Sequence, residues 1–406
     1  MAGAHTRTIV HRKTEFDDWR SLSLGIYMAL TGYSVMVGLP VISTQWVNSV
    51  GFTAVQVGRL TGADLYGLGL GAAISFFLVA RFDRRYITLG AALVAITANL
   101  LCIVFPEYGV TLWLRLMAGV GAGVFTGIAI ATIGGHSRPA FAFAIELFAF
   151  ALYQAVEMKF LPMLSIAEIY TVLSLAFGLS LVFLPWLPRR PAAEPLDVEV
   201  DVEEERGEHH IEHKHVPAYI PWLAMIVILF TYINIGAYWT YIELATVGTA
   251  ADPDWVADVL VYTSVTAVVG CYFGVLLSNR YGLSRPLLIT LLCMTGVAAM
   301  LVLGITNVSI ALSMFAFNIG WVLVDLYQAA ILANIDRSGR FVALVPAAQG
   351  VGNGIGPNIA ASVLAFGSGY NGVFIMCAIA SAIAMLVYLY TYLILRKRLP
   401  ALADAS

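Results

Sequence analysis

The sequence predicts an all-α polytopic membrane protein of twelve transmembrane helices in two pseudo-symmetric six-helix bundles, and three observations carry that prediction. Of 406 residues, 60% are hydrophobic and 12% charged, with a mean hydropathy of +0.84. That is more apolar surface than one soluble core hides. The apolar residues form continuous runs of the length a helix needs to cross the hydrocarbon. They do not alternate with polar residues, as the strands of a closed barrel would, and helices and closed barrels are the two structures that satisfy the backbone in lipid. The Lys and Arg residues fall on alternate loops, which fixes the topology.

In chain order, residues 1–20 form a tail with charges of both signs and no apolar core, which excludes a cleavable signal. Spans then run over 21–43, 54–80, 86–105, 110–134, 139–163 and 166–187, giving a first bundle over 21–187. Residues 188–217 are the one long polar stretch, acidic and His-rich, and read as a solvated linker. A second bundle over 218–395 holds spans at 218–246, 256–279, 286–305, 307–334, 341–367 and 371–395, and 396–406 form a second tail.

Of the 22 Lys and Arg residues, Arg59, Arg115 and Lys159 lie in or near spans. The rest share one side: the first tail (Arg7 to Arg20), every even-numbered loop (among them Arg81, Arg84, Arg85, Arg138, Arg280, Arg285, Arg337 and Arg340), the linker and the last tail. Positively charged loops stay cytoplasmic, so both termini are expected there, in a bacterial inner membrane. One missed or invented span would scatter these charges over both faces.

The halves resemble a tandem repeat. LVARFDRR (78–85) after the second span parallels LLSNRYGLSR (276–285) after the eighth, and Thr31 and Tyr33 of the first span parallel Thr231 and Tyr232 of the seventh. Six-helix halves of this kind commonly hold a solute site between them at the midplane.

These features resemble the major facilitator superfamily of secondary transporters along essentially the whole chain. The loop LVARFDRR is similar to that family's motif after the second helix, keeping Arg81, Arg84 and Arg85, with Ala80 in place of the acid and Asp83 in place of the glycine. The second copy keeps Arg280 and Gly282, with Asn279 in place of the acid. LRLMAGVGAG (114–123) is similar to the family's fourth-helix pattern, and the antiporter motif of the fifth helix is absent. The resemblance implies a solute carrier working by alternating access, with Arg81, Asp83, Arg84, Arg85, Asn279, Arg280 and Gly282 at a cytoplasmic latch. Glu146 lies near enough to that end to pair with the arginines, or serves coupling directly.

An ionisable side chain inside a bilayer is costly, so it marks a cavity or a partner. Asp64 and Asp325 lie deepest and are the candidate proton carriers, since a carboxyl that alternates between exposed and paired states loads and releases a proton. Arg115 is a counter-charge or an anchor for a carboxylate solute, and a static ion pair of Asp64 with Arg59 or Arg115 is the competing reading. In the tenth span Asn318, Trp321, Asp325 and Gln328 share a face, and in the seventh Thr231, Asn234, Tyr238 and Tyr241 do the same. With Tyr33, Gln349 and Asn353 they form a candidate cavity lining for an aromatic or carboxylate-bearing solute. Helix-on-helix packing through interhelical hydrogen bonds is the alternative.

The partners expected are a small-molecule solute, protons or another coupling ion, and the bilayer, with one chain sufficing. No cofactor is expected. The cysteines Cys102, Cys271, Cys293 and Cys377 have no metal-ligand spacing, and His209, His210, His213 and His215 of the linker read as solvated more than as a metal site. A net charge of −3 without a basic tract excludes nucleic acid. No cluster of acid, base and nucleophile marks an enzyme. Solute efflux, or a sensor that binds without transporting, are the alternatives.

Overall fold

In the computed structural model, residues 15–79, 81–189, 217, 219–335 and 340–398 are described. The linker histidines lie outside them, as does the rest of 190–216.

The described chain is helical throughout. Helix α1 (Trp19–Val37) bends by 50° into α2 (Leu39–Gln45), which runs on as a turn of π-helix to Val50. The bend falls at Gly38-Leu39-Pro40, where proline occupies the start of α2 and has no N–H to continue the helix. The rest of the first half is α3 (Ala54–Val79), α4 (Arg84–Val104), α5 (Tyr108–Gly134), α6 (Pro139–Phe160) and α7 (Ile166–Val182). The second half is α8 (Ile220–Tyr241), α9 (Pro253–Tyr281), α10 (Ser284–Val302), α11 (Asn307–Ile335), α12 (Arg340–Ala365) and α13 (Gly369–Arg398).

Among the described residues, nine of these helices are long and apolar enough to span a bilayer, and ten if α1 and α2 form one bent span. The remaining two are α7, which is 17 residues long, and α12, whose hydropathy is diluted by Gln349, Asn353, Asn358 and several glycines. With them the count reaches the expected twelve. Three ends differ from expectation by five residues or more, the first being that of the first span, which runs to Val50 and not to residue 43. The sixth span stops at Val182 because Pro185 starts a 3-10 turn, and the seventh stops at Tyr241 before another turn at Leu244–Thr246.

Local chemistry sets several helix starts. Asp18, Asp83 and Asp252 cap α1, α4 and α9 by accepting backbone N–H bonds, and Ser165 with Glu168 forms a reciprocal capping box on α7. Large apolar side chains such as Phe76, Phe77, Trp113, Leu175, Val182 and Ile289 point outward, a placement suited to lipid. Within the halves the closest packing is of α3 and α4 on α5 in the first, and of α8 on α12 and α13 and α11 on α9 and α10 in the second.

The halves meet mainly through α3 on α12 and α6 on α9. Among the described residues, their polar contacts cluster at the end remote from the arginine-rich loops. Arg59 donates to the Asn358 backbone O (3.1 Å) and Oδ1 (3.0 Å) and to Ser362 Oγ (2.9 Å). Trp239 Nε1 donates to the Val37 carbonyl and the Tyr241 hydroxyl to the Ala54 carbonyl. Lys159 and Asp258 lie 3.9 Å apart on the exposed surface, a pair that contributes little. Backbones come close where Gly69 faces Gly350: a Cβ built on Gly350 would lie 2.6 Å from the Gly69 Cα. Farther toward the arginine-rich end, Ala72 of α3 and Pro346 of α12 face a cavity instead of each other.

Candidate functional site

That cavity, about 290 Å³, lies between the two halves. From the first half come Tyr33 and Met36 of α1, Gly69 and Ala72 of α3, and Glu146, Phe150 and Gln154 of α6. From the second come Tyr232 of α8, Asn318, Trp321 and Asp325 of α11, and Gln349 and Asn353 of α12. Glu146, Phe150 and Gln154 stand four residues apart on α6, so one helical face carries all three. Asn318, Trp321 and Asp325 make the matching face of α11.

The polar groups of the wall are only partly satisfied. Asp325 Oδ1 accepts from the Tyr232 hydroxyl. Asn318 reaches back to its own helix at Met314 O, and the Asn353 amide approaches Met36 Sδ at 4.0 Å. Glu146 and Gln154 have no hydrogen-bond partner among the described residues. Tyr33 packs edge-to-face on Phe150 with ring centroids 6.1 Å apart, and its hydroxyl is within electrostatic reach of both Glu146 and Asp325.

Of the residues expected to line a cavity, Tyr33, Asn318, Trp321, Gln349 and Asn353 do so, together with Asp325. Arg115, Asn234, Tyr238, Tyr241 and Gln328 do not, for identifiable reasons. Arg115, 1% exposed, is held inside the first half: Nη2 donates to Asp64 Oδ2 at 2.6 Å, Nη1 to Asn99 Oδ1 at 2.6 Å, and its guanidinium lies over the Tyr170 ring. The pair borders a void of about 20 Å³, too small for an organic solute. Asp64 is therefore placed in an ion pair, the competing reading above, and not on the central cavity.

Asn234 is fully buried inside the second half, where its carbonyl approaches Cys377. Tyr238 stacks on Phe317 with centroids 3.7 Å apart and bonds Ser313, so it is core. Tyr241 bonds the Ala54 carbonyl at the closed end. Gln328 donates to Thr231 Oγ1 at 2.8 Å across the α8–α11 contact. Helix packing thus claims most of the seventh-span stripe and the last member of the tenth.

The expected latch takes a different form in this state. Arg85 donates to the carbonyls of Leu187 (2.7 Å) and Pro185 (2.5 Å), and Arg84 to Thr132 Oγ1 (3.2 Å), while Asp83 caps α4. All of these bonds remain within the first half. Arg81 is exposed, and Arg280 is exposed with its guanidinium over Tyr281. Gly282, with φ of +72°, ends α9 in a backbone conformation that favours glycine. The Asn279 side chain lies outside the described residues. Glu146 does not reach the arginines; it faces the cavity.

Phe150 and Met36 also line the cavity without a charge or amide to mark them in the sequence, and Gln154 shares its face with Glu146 and Phe150 instead of with its neighbours Tyr153 and Glu157. The latter two turn toward α1, where the Tyr153 and Ser34 hydroxyls are 2.5 Å apart. The four-residue repeat from Glu146 through Phe150 to Gln154 is the signal that finds the correct face.

Two helical bundles closed on each other at one end, with a largely apolar cavity carrying a few polar groups between them, define a membrane carrier of the alternating-access class. The chain belongs to the Major Facilitator Superfamily, whose family model matches residues 23–357, and is a secondary transporter of that family. Solved structures agree on the fold. The nucleoside transporter NupG is similar with a TM-score of 0.70 at 11% identity, covering 92% of this chain and 99% of that one. A bacterial homologue of the human lysosomal transporter Spinster, inward-facing and unoccupied, gives 0.70 at 14%, covering 94% and 98%. The POT family transporter PepTSo gives 0.71 at 12%, covering 93% and 99%. No curated protein matches the sequence.

Proposed function

We propose that the chain moves a small organic solute with an aromatic part across a bacterial inner membrane, coupled to protons through Asp325, with both termini cytoplasmic. The observation that carries this reading is the placement of Asp325 on the cavity wall, hydrogen-bonded to Tyr232 and facing the groups contributed by the other half. A carboxyl there is reached from one side of the membrane at a time and changes its surroundings as the halves rock. In the state described the cavity lies toward the arginine-rich end, and with that end in the cytoplasm it is an inward-facing state.

Asp64 is withdrawn as a carrier because Arg115 holds its carboxylate in place in a buried pair. A carboxylate solute is withdrawn with it, since Arg115 is engaged elsewhere. The latch reading of Arg81, Arg84, Arg85 and Arg280 is kept for the opposite state, in which the arginine-rich ends of the halves approach each other. Relatives of the same fold are named for different solutes, so fold alone does not choose among them.

The test is solute counterflow and proton-driven accumulation in proteoliposomes. Asp325→Asn is expected to keep counterflow and lose accumulation driven by a pH gradient. Full proton-driven accumulation by that variant would end the assignment of Asp325 as carrier.

A further inference from the structure

We propose that the central cavity selects a small organic cation, an ammonium group carried on an aromatic or apolar body, with Glu146 as the anchoring carboxylate. This rests on the transporter reading above and narrows its solute class. Glu146 comes from α6 and Asp325 from α11, so each half contributes one carboxyl, and among the described lining residues there is no Lys, Arg or His. Two of the cations that lie within helices, Arg115 and Arg59, are engaged elsewhere: Arg115 by Asp64, and Arg59 by Asn358 and Ser362 at the closed end. An anionic solute would meet like charge with no counter-charge. A neutral one would leave a carboxylate without a partner in a space of low dielectric.

Partnering separates the two carboxyls. Asp325 already accepts a hydrogen bond from Tyr232, whereas Glu146 has no partner among the described residues. Two turns along the same face, Gln154 also lines the cavity; it is only 3% exposed and has no hydrogen-bond partner among the described residues. Its amide opens on the cavity, where a solute can pair with it. Its carbonyl oxygen accepts from a donor at the far end of the solute, about 12 Å along the helix from Glu146.

The remaining walls suit the same solute. Tyr33 and Phe150 from the first half and Tyr232 and Trp321 from the second put four aromatic rings on a cavity of about 290 Å³. Ring faces attract cations, most strongly where water is excluded. The volume is at the lower end of the range for small-molecule sites, which fits a solute with one ring system.

The test uses three probes of similar size and different charge, phenyltrimethylammonium, benzamide and benzoate, with the full chain in lipid nanodiscs for binding and in proteoliposomes for proton flux. Phenyltrimethylammonium is expected to bind at least about tenfold tighter than either of the others. Glu146→Gln is expected to remove that preference, weakening the ammonium by about tenfold while leaving benzamide unchanged. Because the benzamide arm reports an intact cavity, a misfolded variant is recognised as such. The cation assignment is overturned if benzoate or benzamide binds as tightly as the ammonium. It is overturned equally if Glu146→Gln leaves ammonium binding unaltered, or if phenyltrimethylammonium fails to bind up to about 10 mM. Failure of the transporter reading has a different signature: a probe that binds yet never moves protons or itself, with no difference between the natural chain and Asp325→Asn.

Discussion

Asp64→Ala is expected to destabilise the protein by about 3–5 kcal/mol, the usual consequence of leaving one member of a buried ion pair alone. Arg115 is 1% exposed and Asp64 4%, and the guanidinium is fixed by Asp64, Asn99 and the Tyr170 ring at once. Tyr170 is itself tied down, accepting from Trp46 Nε1 at 2.7 Å. Deleting the carboxylate leaves a full positive charge in a region that water reaches poorly, and α3 and α5 have no room to rearrange around it. Their backbones are in close contact there, since a Cβ on Gly119 would fall 2.1 Å from the Asp64 carbonyl oxygen. Replacing both charges, Asp64→Asn with Arg115→Gln, is expected to recover most of the loss, because a neutral pair keeps a hydrogen bond without a stranded ion. Thermal unfolding of the purified variants in detergent reads both effects. If Asp64→Ala melts with the natural protein, the pair is not structural and its withdrawal from coupling loses its basis.

How much of this arrangement is legible in the sequence follows from what sets each feature. Span number, order and the side each loop shares are written locally, in runs of apolar residues and in the Lys and Arg between them. The rotation of a helix about its own axis is not. Periodicity says that Thr231, Asn234, Tyr238 and Tyr241 share a face, but not whether that face meets a cavity or a neighbouring helix. On α8 it meets neighbours, and Tyr232, one residue and about 100° away, faces the cavity. On α11 the stripe divides: three members reach the cavity, and Gln328, one turn on, bonds Thr231. Depth is equally ambiguous for Glu146, which lies near a helix start and yet faces inward because the cavity extends toward that end. The ion pair of Arg115 is visible in the sequence as one of two choices, and the packing of α3 against α5 decides between them.

Arg59→Ala is expected to open the end at which the halves now meet, shifting the balance between the two facing states by roughly a hundredfold. Arg59 donates three bonds across the interface, to the Asn358 backbone oxygen, the Asn358 side chain and Ser362 Oγ. Hydrogen bonds from a charged group contribute about 1.5–3 kcal/mol each and do not add fully, so a combined loss of about 3 kcal/mol is a fair expectation. Since every 1.4 kcal/mol is tenfold in an equilibrium, that corresponds to about two decades. These bonds join α3 to α12, and rocking the halves apart at this end must break all of them. Their loss therefore weighs on one state and not the other, which a ligand or a variant must do to shift such an equilibrium.

Crowding the seam acts in the same direction. A Cβ on Gly62 would lie 1.8 Å from Asn358 Nδ2 and 3.0 Å from the Gly354 carbonyl oxygen, so Gly62→Val crowds the same seam without touching Arg59. Spin labels on Asn48→Cys and Ser368→Cys, exposed positions on opposite halves at this end, read the separation by pulsed electron resonance. Both variants should add a longer distance that the parent lacks. An unchanged distribution in Arg59→Ala would mean that the contact is held by α6 against α9 and by Trp239 at Val37, and that Arg59 only decorates it. A longer distance with transport lost rather than slowed would place the opposite-facing state as a trap, since a carrier must return through the closed seam to complete its cycle.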